Sequence, residues 1–273
     1  MSIDVKFWGV RGSFPCATPS HMGFGGNTSC VTVEAGGRLV VLDAGTGLFK
    51  LGRDLVKRQV PGATLLLSHS HTDHILGFPF FAPAWNGKFE LSVMAGHLNE
   101  LGGVRAVIAD SMRDPVFPVQ LNAMGAHIQF KDFRAGESFS IGPDVKVLTA
   151  PLNHPNGATA YRIESGHKSV CYVTDTEHTP GKPDENVLNL VRGTDLMIYD
   201  STYTDEEFAS HVGWGHSTWQ EALRIGKLAG VKQVAIFHHD PDHDDSFMTE
   251  VERQARAVSG SSFAAREGMV INL

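Results

Sequence analysis

The chain has 273 residues, 42% hydrophobic and 19% charged, which is typical of a globular protein long enough to bury a full core. Its formal net charge is −7 and no run of Lys and Arg exceeds a pair, so we expect no long nucleic acid as a partner. No stretch has the apolar length of a membrane span, and no membrane partner is expected.

Short runs rich in β-branched and aromatic residues predict strands along the chain. They cover residues 5–10, 30–43 with a hairpin turn at Gly36-Gly37, 63–69, 89–96, 145–151, 158–164, 168–175, 194–200 and 232–239. Helical periodicity is found in residues 48–58, 99–112, 184–193, 218–230 and 245–260. Strands pair as hairpins first and alternate with helices later, which predicts one mixed α/β domain over residues 1–273 with more than one sheet.

Cysteine usage indicates a reducing compartment. The three cysteines, Cys16, Cys30 and Cys171, are odd in number and lack CxxC spacing. This argues against a disulfide framework and against a thiolate zinc site. We therefore expect a cytoplasmic protein.

The densest group of metal-binding side chains follows one predicted strand. The run "LLLSHSHTDHILG" leaves its apolar part after Leu67 and offers His69, His71, Asp73 and His74 within six residues. Alternate residues near a strand end point the same way, so His69 and His71 can converge on one ion while Asp73 and His74 reach a second. Imidazoles and carboxylate without thiolate suit zinc, or another divalent first-row metal, in an open catalytic site.

Three more predicted strands end at a similar polar residue. His154 follows "VKVLTAP", Asp175 ends "KSVCYVTD", and His238 or His239 follows "QVAIF". Loops at strand ends are where rigid scaffolds present catalytic groups. A carboxylate such as Asp175 has two oxygens and can bridge two ions.

The order HxHxDH, His, Asp, His resembles that of the metallo-β-lactamase superfamily over nearly the whole chain. The resemblance implies an α/β fold, an αβ/βα sandwich of two mixed β-sheets with helices outside and two divalent ions at one edge, zinc first and manganese or iron as alternatives. It assigns the first metal to His69, His71 and His154, the second to Asp73, His74 and His238, and the bridge to Asp175. It favours His238 over His239 as the last ligand. It also makes Asp43 a support of the ligand loop, although a turn-forming aspartate after a strand would look the same.

Residues 199–240 resemble the matching stretch of ribonuclease Z and of the phosphodiesterases of phosphonate breakdown. There an acidic residue ends a strand, a His-Ser-Thr opens a helix, and the last ligand follows the next strand; Asp200, His216 and His238 occupy these places. The resemblance implies Asp73, His216 and Asp200 as catalytic residues. The two ions would deliver a hydroxide to phosphorus, His216 would act as general acid on the departing oxygen, and Asp200 would steady His216.

In the run "HVGWGHST" at residues 211–218, helix capping explains the two residues that follow His216. Thr218-x-x-Glu221 is a capping box, Ser217-x-x-Gln220 is a second candidate, and Gly230 ends the helix. Capping does not explain a histidine placed just before the cap, so the functional interpretation rests on His216.

The N-terminal run at residues 7–34 also resembles a bacterial branch of phosphodiesterase-like proteins. It offers Arg11, Ser13, Asn27 and Thr28 as substrate-binding contacts to a phosphate or a base. A Gly-rich turn between hairpin strands needs no ligand, so both interpretations stay open. The aromatic-rich segment at 78–125 likewise fits either a lid over the substrate or ordinary packing.

We expect the substrate to be a small phosphodiester, either a cyclic nucleotide or another cyclic phosphate. Ribonuclease Z carries a long arm that grips tRNA between its single histidine and its bridging aspartate, whereas here 20 residues with a turn at Gly166 separate His154 from Asp175. The alternatives are a thioester or lactone hydrolase of the same fold and a non-catalytic nucleotide-binding sensor. A redox role is disfavoured because His71 stands where oxygen-reducing relatives carry glutamate. A homodimer stays open.

Overall fold

The computed structural model describes residues 2–273 and contains two seven-stranded β-sheets. The strands, in chain order, are β1 (Ile3–Gly9), β2 (Cys30–Ala35), β3 (Arg38–Leu42), β4 (Gly62–Leu67), β5 (Glu90–Ala95), β6 (His127–Asp132), β7 (Ser138–Ser140), β8 (Lys146–Leu152), β9 (Ala158–Ser165), β10 (Lys168–Val173), β11 (Leu196–Asp200), β12 (Gln233–Phe237), β13 (Ser262–Ala264) and β14 (Val270–Asn272). The α-helices are α1 (Leu48–Arg58), α2 (Thr72–Ile75), α3 (Val104–Ser111), α4 (Glu185–Val191), α5 (Asp205–Phe208), α6 (Trp219–Ala229) and α7 (Asp245–Val258).

Each sheet combines an antiparallel part with a parallel part. The first sheet has the order β14-β1-β2-β3-β4-β5-β6, antiparallel up to β3 and parallel from β3 to β6. The second has the order β13-β12-β11-β10-β9-β8-β7, parallel from β10 to β13 and antiparallel from β7 to β10. The chain therefore builds both sheets from the same two kinds of connection, short hairpins and helical crossovers.

The hydrophobic core has three layers. The central layer lies between the two sheets, where residues such as Phe7 and Leu42 of the first sheet pack with Tyr172 and Phe237 of the second. One outer layer joins the first sheet to α1 and α3, and the other joins the second sheet to α4, α6 and α7. This arrangement confirms the predicted αβ/βα sandwich of two mixed sheets.

The helix α1 shows why the strongly periodic segments were predictable. Its buried side chains Leu48, Leu51 and Leu55 recur at three and four residues and face the first sheet. The chain leaves the helix at Gln59 in the left-handed conformation, with φ of 55°. The boundaries equal those that the sequence predicts.

Two parts of the prediction differ from the structure. The helix predicted over 99–112 is divided by Gly102 and Gly103, both at positive φ, into a 3₁₀ turn at Asn99–Leu101 and α3. The strands β6, β7, β13 and β14 were not predicted. Of these, β6 alternates the half-buried Ile128 and Phe130 with exposed polar residues but has no fully buried residue, and β7 spans only three residues.

The start of the segment that follows α2 contributes buried aromatic side chains to the outer layer. Phe78 and Phe81, in and after the 3₁₀ turn at Phe78–Phe80, are buried in the outer layer against α1, while Phe80 is exposed. Cys16, Cys30 and Cys171 are all buried and unpaired. Over residues 2–273, no helix has the length and apolarity to cross a membrane.

Candidate metal centre

The candidate ligands converge on one edge of the sandwich because they follow strands that run in the same direction. Asp43 follows β3, and the HxHxDH run follows β4 and enters α2. On the second sheet, His154, Asp175 and His238 follow β8, β10 and β12, and Asp200 ends β11. Carboxyl ends of strands that run in one direction meet at one edge, which is where open α/β sheets place their sites.

The first cluster consists of His69, His71 and His154, whose ring nitrogens lie within 4.8 Å of one another. Nε2 of His154 is 3.0 Å from Nδ1 of His71. Nδ1 of His154 donates to the carbonyl of Gly215 at 2.8 Å, which leaves the lone pair of Nε2 directed at the cluster. Burial lowers the pKa of all three histidines, most strongly that of His69, so they are neutral and able to ligate.

The second cluster consists of Asp73, His74, Asp175 and His238, and all four are buried. Nε2 of His74 lies 3.3 Å from Nε2 of His238 and 3.1 Å from an oxygen of Asp73. Burial would favour the neutral acid of Asp175, but the facing histidines His238, His74 and His69 hold the pKa of that carboxyl well below its usual range. At His74 burial disfavours the charged ring, but the carboxylates of Asp175, Asp73 and Asp43 outweigh it and raise the pKa of this histidine.

The carboxylate of Asp175 faces both clusters. Its Oδ1 is 3.2 Å from His74 and 3.3 Å from His238, whereas its Oδ2 is 3.6 Å from His69 and 3.8 Å from His154. One oxygen is thus directed at each set of ligands. This is the arrangement that a bridge between two ions requires.

The donor set fits two divalent cations. Nε2 of His69 is buried without a hydrogen-bond partner among the described residues, and it faces the other ligand atoms. Nitrogen atoms that approach to 3.0 and 3.3 Å, with lone pairs directed at one another, are stable together only with a proton or a cation between them. Imidazole and carboxylate donors without thiolate suit zinc and other first-row divalent metals.

Backbone strain is concentrated at this edge. Among residues 2–273, the non-glycine residues at positive φ are Ser13, Asp43, Gln59, Asn156, Asp175 and His238, and only Gln59 lies away from the centre. Asp175 and His238 adopt φ of 54° and 64°. Such conformations cost about 1–3 kcal/mol each and persist where surrounding contacts enforce them. The turns after β10 and β12 thus direct Asp175 and His238 into the cluster at the expense of stability.

The carboxylate of Asp43 supports the second cluster through hydrogen bonds. Its Oδ2 accepts from Nδ1 of His74 at 2.8 Å and from the hydroxyls of Ser68 and Tyr172 at 2.7 and 2.8 Å, and its Oδ1 accepts from the backbone N–H of Ser68. The carboxylate fixes the tautomer of His74 with Nε2 free to ligate. The structure therefore favours the supporting role over a simple turn. Tyr172 was missed because it lies within an apolar strand, where its hydroxyl gives no signal in the pattern.

The contacts of His238 and His239 distinguish between the two. The ring of His238 faces Asp73, His74 and Asp175, and its Nδ1 lies 2.9 Å from the hydroxyl of Thr202. His239 turns the other way, and its Nε2 contacts the carbonyl of Ala265 at 2.9 Å. The geometry thus favours His238 as the ligand. Thr202 was not predicted, although its position two residues after Asp200 places both side chains on the same side of the strand end.

His216 forms a pair with Asp200 beside both clusters. Its Nδ1 is 3.1 Å from Oδ2 of Asp200, and its ring stacks on His238 at 4.9 Å and contacts the ring of His154 at 5.4 Å. Burial disfavours the charged ring, but the charge and hydrogen bond of Asp200 outweigh it and raise the pKa of His216 to about 9. Nε2 of His216 has no hydrogen-bond partner among residues 2–273 and is available to a bound substrate.

Ser217 and Thr218, which follow His216, hydrogen-bond to neighbouring residues. Thr218 accepts from the backbone N–H of Glu221 at 3.0 Å and caps α6, but the carboxylate of Glu221 pairs with Arg224, so the reciprocal bond of a capping box is absent. The second candidate cap does not form, since the hydroxyl of Ser217 contacts His178 at 2.8 Å.

Of the four substrate contacts predicted in the N-terminal run, three bind groups of neighbouring loops and one, Ser13, contacts a candidate ligand. The guanidinium of Arg11 is fully buried and donates to the carbonyls of Gly25, Asp240 and His243. The carboxamide of Asn27 binds Glu267, and Thr28 is buried and exchanges hydrogen bonds with Thr46. The hydrogen bonds of these three residues join loops of the chain to one another. Ser13 does lie at the site, where its backbone N–H donates to Asp73 at 2.8 Å and its side chain is exposed.

Comparison with known proteins identifies related chains. Residues 38–239 match the family model of the beta-lactamase superfamily domain. Ribonuclease Z of Gemmatimonas aurantiaca is 34% identical over 323 aligned positions, covering 100% of this chain and 96% of the relative. Ribonuclease Z of Metallosphaera sedula is 35% identical, covering 77% and 80%. The crystal structure of the metallo-beta-lactamase fold protein YhfI from Bacillus subtilis superposes with a TM-score of 0.76 at 21% identity, covering 100% and 99%.

These relatives overturn one expectation. Proteins named as ribonucleases align with most or all of the chain, so the exclusion of a long nucleic acid from net charge and composition is wrong. Net charge describes the whole surface, whereas binding depends on the local field around the site.

We predict that Asp43→Asn weakens metal binding by about 10- to 100-fold, because the amide no longer accepts from Nδ1 of His74 as a carboxylate does. Competition with a chromophoric chelator measures the affinity. Asp242→Asn, an exposed position that changes the net charge equally, is the matched control. Equal affinity of Asp43→Asn and wild type would contradict the supporting role.

We predict that His238→Ala lowers the bound metal from about two ions per chain towards one, while His239→Ala retains both. Elemental analysis of folded, dialysed protein gives the stoichiometry, and thermal unfolding verifies that both variants are folded. A wild-type content below about one ion per chain, or a loss in His239→Ala alone, would count against the assigned ligands.

Proposed function

The chain belongs to the β-lactamase superfamily and is a metal-dependent hydrolase, and from this premise we propose that it is a dinuclear phosphodiesterase in which His216 protonates the leaving oxygen. The observation that carries the proposal is the His216–Asp200 pair, with Nδ1 3.1 Å from the carboxylate, stacked against the ligand His238. A thioester or lactone hydrolase of the same fold has no evident need for this pair.

The metals are proposed to be two divalent cations. His69, His71 and His154 would hold one, and Asp73, His74 and His238 the other, with Asp175 between them. Zinc suits the donors best, with manganese or iron as alternatives. When bound, the cations neutralise charge on the phosphate oxygens and lower the pKa of water towards roughly 7.

The chain itself supplies and holds the proton for the leaving group. Departure of an alkoxide needs a proton, and an imidazolium is a suitable donor near neutral pH. The carboxylate of Asp200 favours the protonated ring of His216 and is itself held by Thr176 and Thr202. Because Nδ1 is bonded to Asp200, Nε2 is the atom that donates to the substrate.

We favour a small phosphodiester, such as a cyclic nucleotide or another cyclic phosphate. Support comes from the short connection between His154 and Asp175, where β9 and β10 form a hairpin with a tight turn at Gly166 and His167. The alignment with the Gemmatimonas relative spans 323 positions against 273 residues here, so that relative carries segments without a counterpart in this chain. We also place the enzyme in the cytoplasm, in keeping with three unpaired cysteines.

RNA is the second candidate substrate. It is favoured by the identity of 34% with a ribonuclease Z over the full chain. Both substrates use the same reacting group, a phosphodiester, so the assignment of ligands and of His216 is the same for either.

A substrate panel tests the proposal on the metal-loaded protein. We expect hydrolysis of bis(p-nitrophenyl) phosphate and of at least one member of a set of cyclic mono- and dinucleotides and a tRNA precursor with a 3′ extension. Hydrolysis of thioesters or lactones without any phosphodiester would refute the proposal in favour of the rival hydrolase. Tight nucleotide binding without turnover would indicate a sensor.

We predict that His216→Ala retains its metals but loses about 10²- to 10⁴-fold in kcat on a substrate with an alkoxide leaving group. The loss should be much smaller with p-nitrophenolate, which departs without protonation. Steady-state kinetics on the two substrates, with metal content measured in parallel, provides the comparison.

His167→Ala is the control for this experiment, since His167 is an exposed histidine in the β9–β10 turn. It should behave as wild type on both substrates. No loss on either substrate in His216→Ala would show that His216 is not the general acid.

A further inference from the structure

Two exposed aromatic side chains border the metal centre on loops that the ligands themselves fix. Phe14 is 68% exposed and Trp214 is 61% exposed. Large apolar side chains scattered singly over a surface need no explanation, but these two lie next to residues that contact metal ligands. We propose that Phe14 and Trp214 stack on nucleobases on the two sides of the scissile phosphate, so that the substrate is a nucleotide diester. This inference rests on the proposed phosphodiesterase function.

Phe14 lies on a turn held against the second cluster. The N–H of Gly12 donates to the carbonyl of His239 at 3.0 Å, and a Cβ at Gly12 would lie 2.3 Å from Nδ1 of His238. The next residue, Ser13, donates its N–H to Asp73. The turn therefore cannot move without disturbing Asp73 and His238, and Phe14, whose side chain is exposed, follows directly on it.

Trp214 lies on a loop held against the first cluster. The N–H groups of Gly213 and Gly215 both donate to Oε2 of Glu177, at 2.7 and 2.9 Å. The carbonyl of Gly215 accepts from Nδ1 of His154, and a Cβ at Gly215 would lie 2.3 Å from that nitrogen. The indole thus sits between two anchored peptide groups and one residue from a ligand contact.

A row of ring contacts connects Trp214 to the proposed general acid. The ring of His216 contacts that of Tyr203 at 6.0 Å, Tyr203 stacks on His211 at 4.3 Å, and His211 meets Trp214 at 4.9 Å and 86°. The edge-on contact supports the indole and leaves most of it exposed. A planar base attached to the leaving side of the phosphate can therefore stack there while His216 reaches the oxygen.

Stacking of a base on an aromatic side chain changes affinity by about 5- to 150-fold and tolerates any base. Because Phe14 borders the second cluster and Trp214 the first, a diester whose phosphate lies at the metals has one side chain beside each of its halves. The pair would select substrates with bases over simple alkyl diesters. It would not by itself distinguish a cyclic dinucleotide from a linear RNA.

Calorimetric titration of the metal-loaded protein with adenosine 5′-monophosphate and with inorganic phosphate tests the inference. We expect wild type to bind the nucleotide about 5- to 150-fold more tightly than phosphate. Trp214→Ala or Phe14→Ala should remove most of this difference without changing phosphate affinity, and Trp214→Phe should keep it. Val212→Ala, an equally exposed apolar residue on the Trp214 loop, should match wild type.

Hydrolysis of adenylyl-(3′→5′)-adenosine and of methyl p-nitrophenyl phosphate gives a second measurement, in which the alanine variants should raise KM for the first substrate alone. Nucleotide affinity at wild-type level in both alanine variants would overturn the inference, and so would an equal loss for phosphate. A change in sedimentation without a change in nucleotide affinity would also overturn it and would identify a contact between copies. If wild type hydrolyses no phosphodiester, the proposed function fails, while the titration still decides whether the aromatic pair binds a base.

Discussion

The structure depends on holding seven imidazole and carboxylate groups, six of them buried, with their lone pairs directed at one another. Burial of ionic groups without full compensation costs several kcal/mol for each ion. Part of this compensation comes from the chain itself, since Nδ1 of His74 donates to Asp43 and Nδ1 of His154 donates to the carbonyl of Gly215. Nε2 of His69, buried without a hydrogen-bond partner among the described residues, shows that this compensation is incomplete, and the donor set is compatible with cations that would supply the remainder. Metal binding and folding would then stabilise the same state.

The sandwich supplies the rigidity that this arrangement needs. Each ligand follows a strand whose other residues are part of a packed core, so its backbone position is determined by both sheets together. The positive φ of Asp175 and His238 then redirects the chain into the cluster. Strain is tolerated at these turns because the strands before them, β10 and β12, pair on both sides.

The loops that contact the ligands connect the metal chemistry to substrate recognition. Ser13 reaches Asp73 and Gly215 reaches His154, and each loop carries an exposed aromatic residue next to that contact. In the proposed stacking arrangement, selectivity for a base and orientation of the ligands would depend on the same few peptide groups. Such recognition would be concentrated in side chains near the metal centre and would not require a basic surface.

The sequence by itself determined a mixed α/β domain with more than one sheet, the long helices such as α1 and the order of the candidate ligands. These follow from local periodicity and from polar residues at the ends of apolar runs, whereas the sandwich was implied by the resemblance to the metallo-β-lactamase superfamily. Tertiary structure alone distinguishes the positions of His238 and His239, because both follow β12 and only the packing turns the ring of His238 to the cluster and that of His239 to Ala265. It also decided that Arg11, Asn27 and Thr28 support loops, and that Tyr172 and Thr202 hold ligands or their supports. Such contacts join residues far apart in the chain, so no local pattern in the sequence records them.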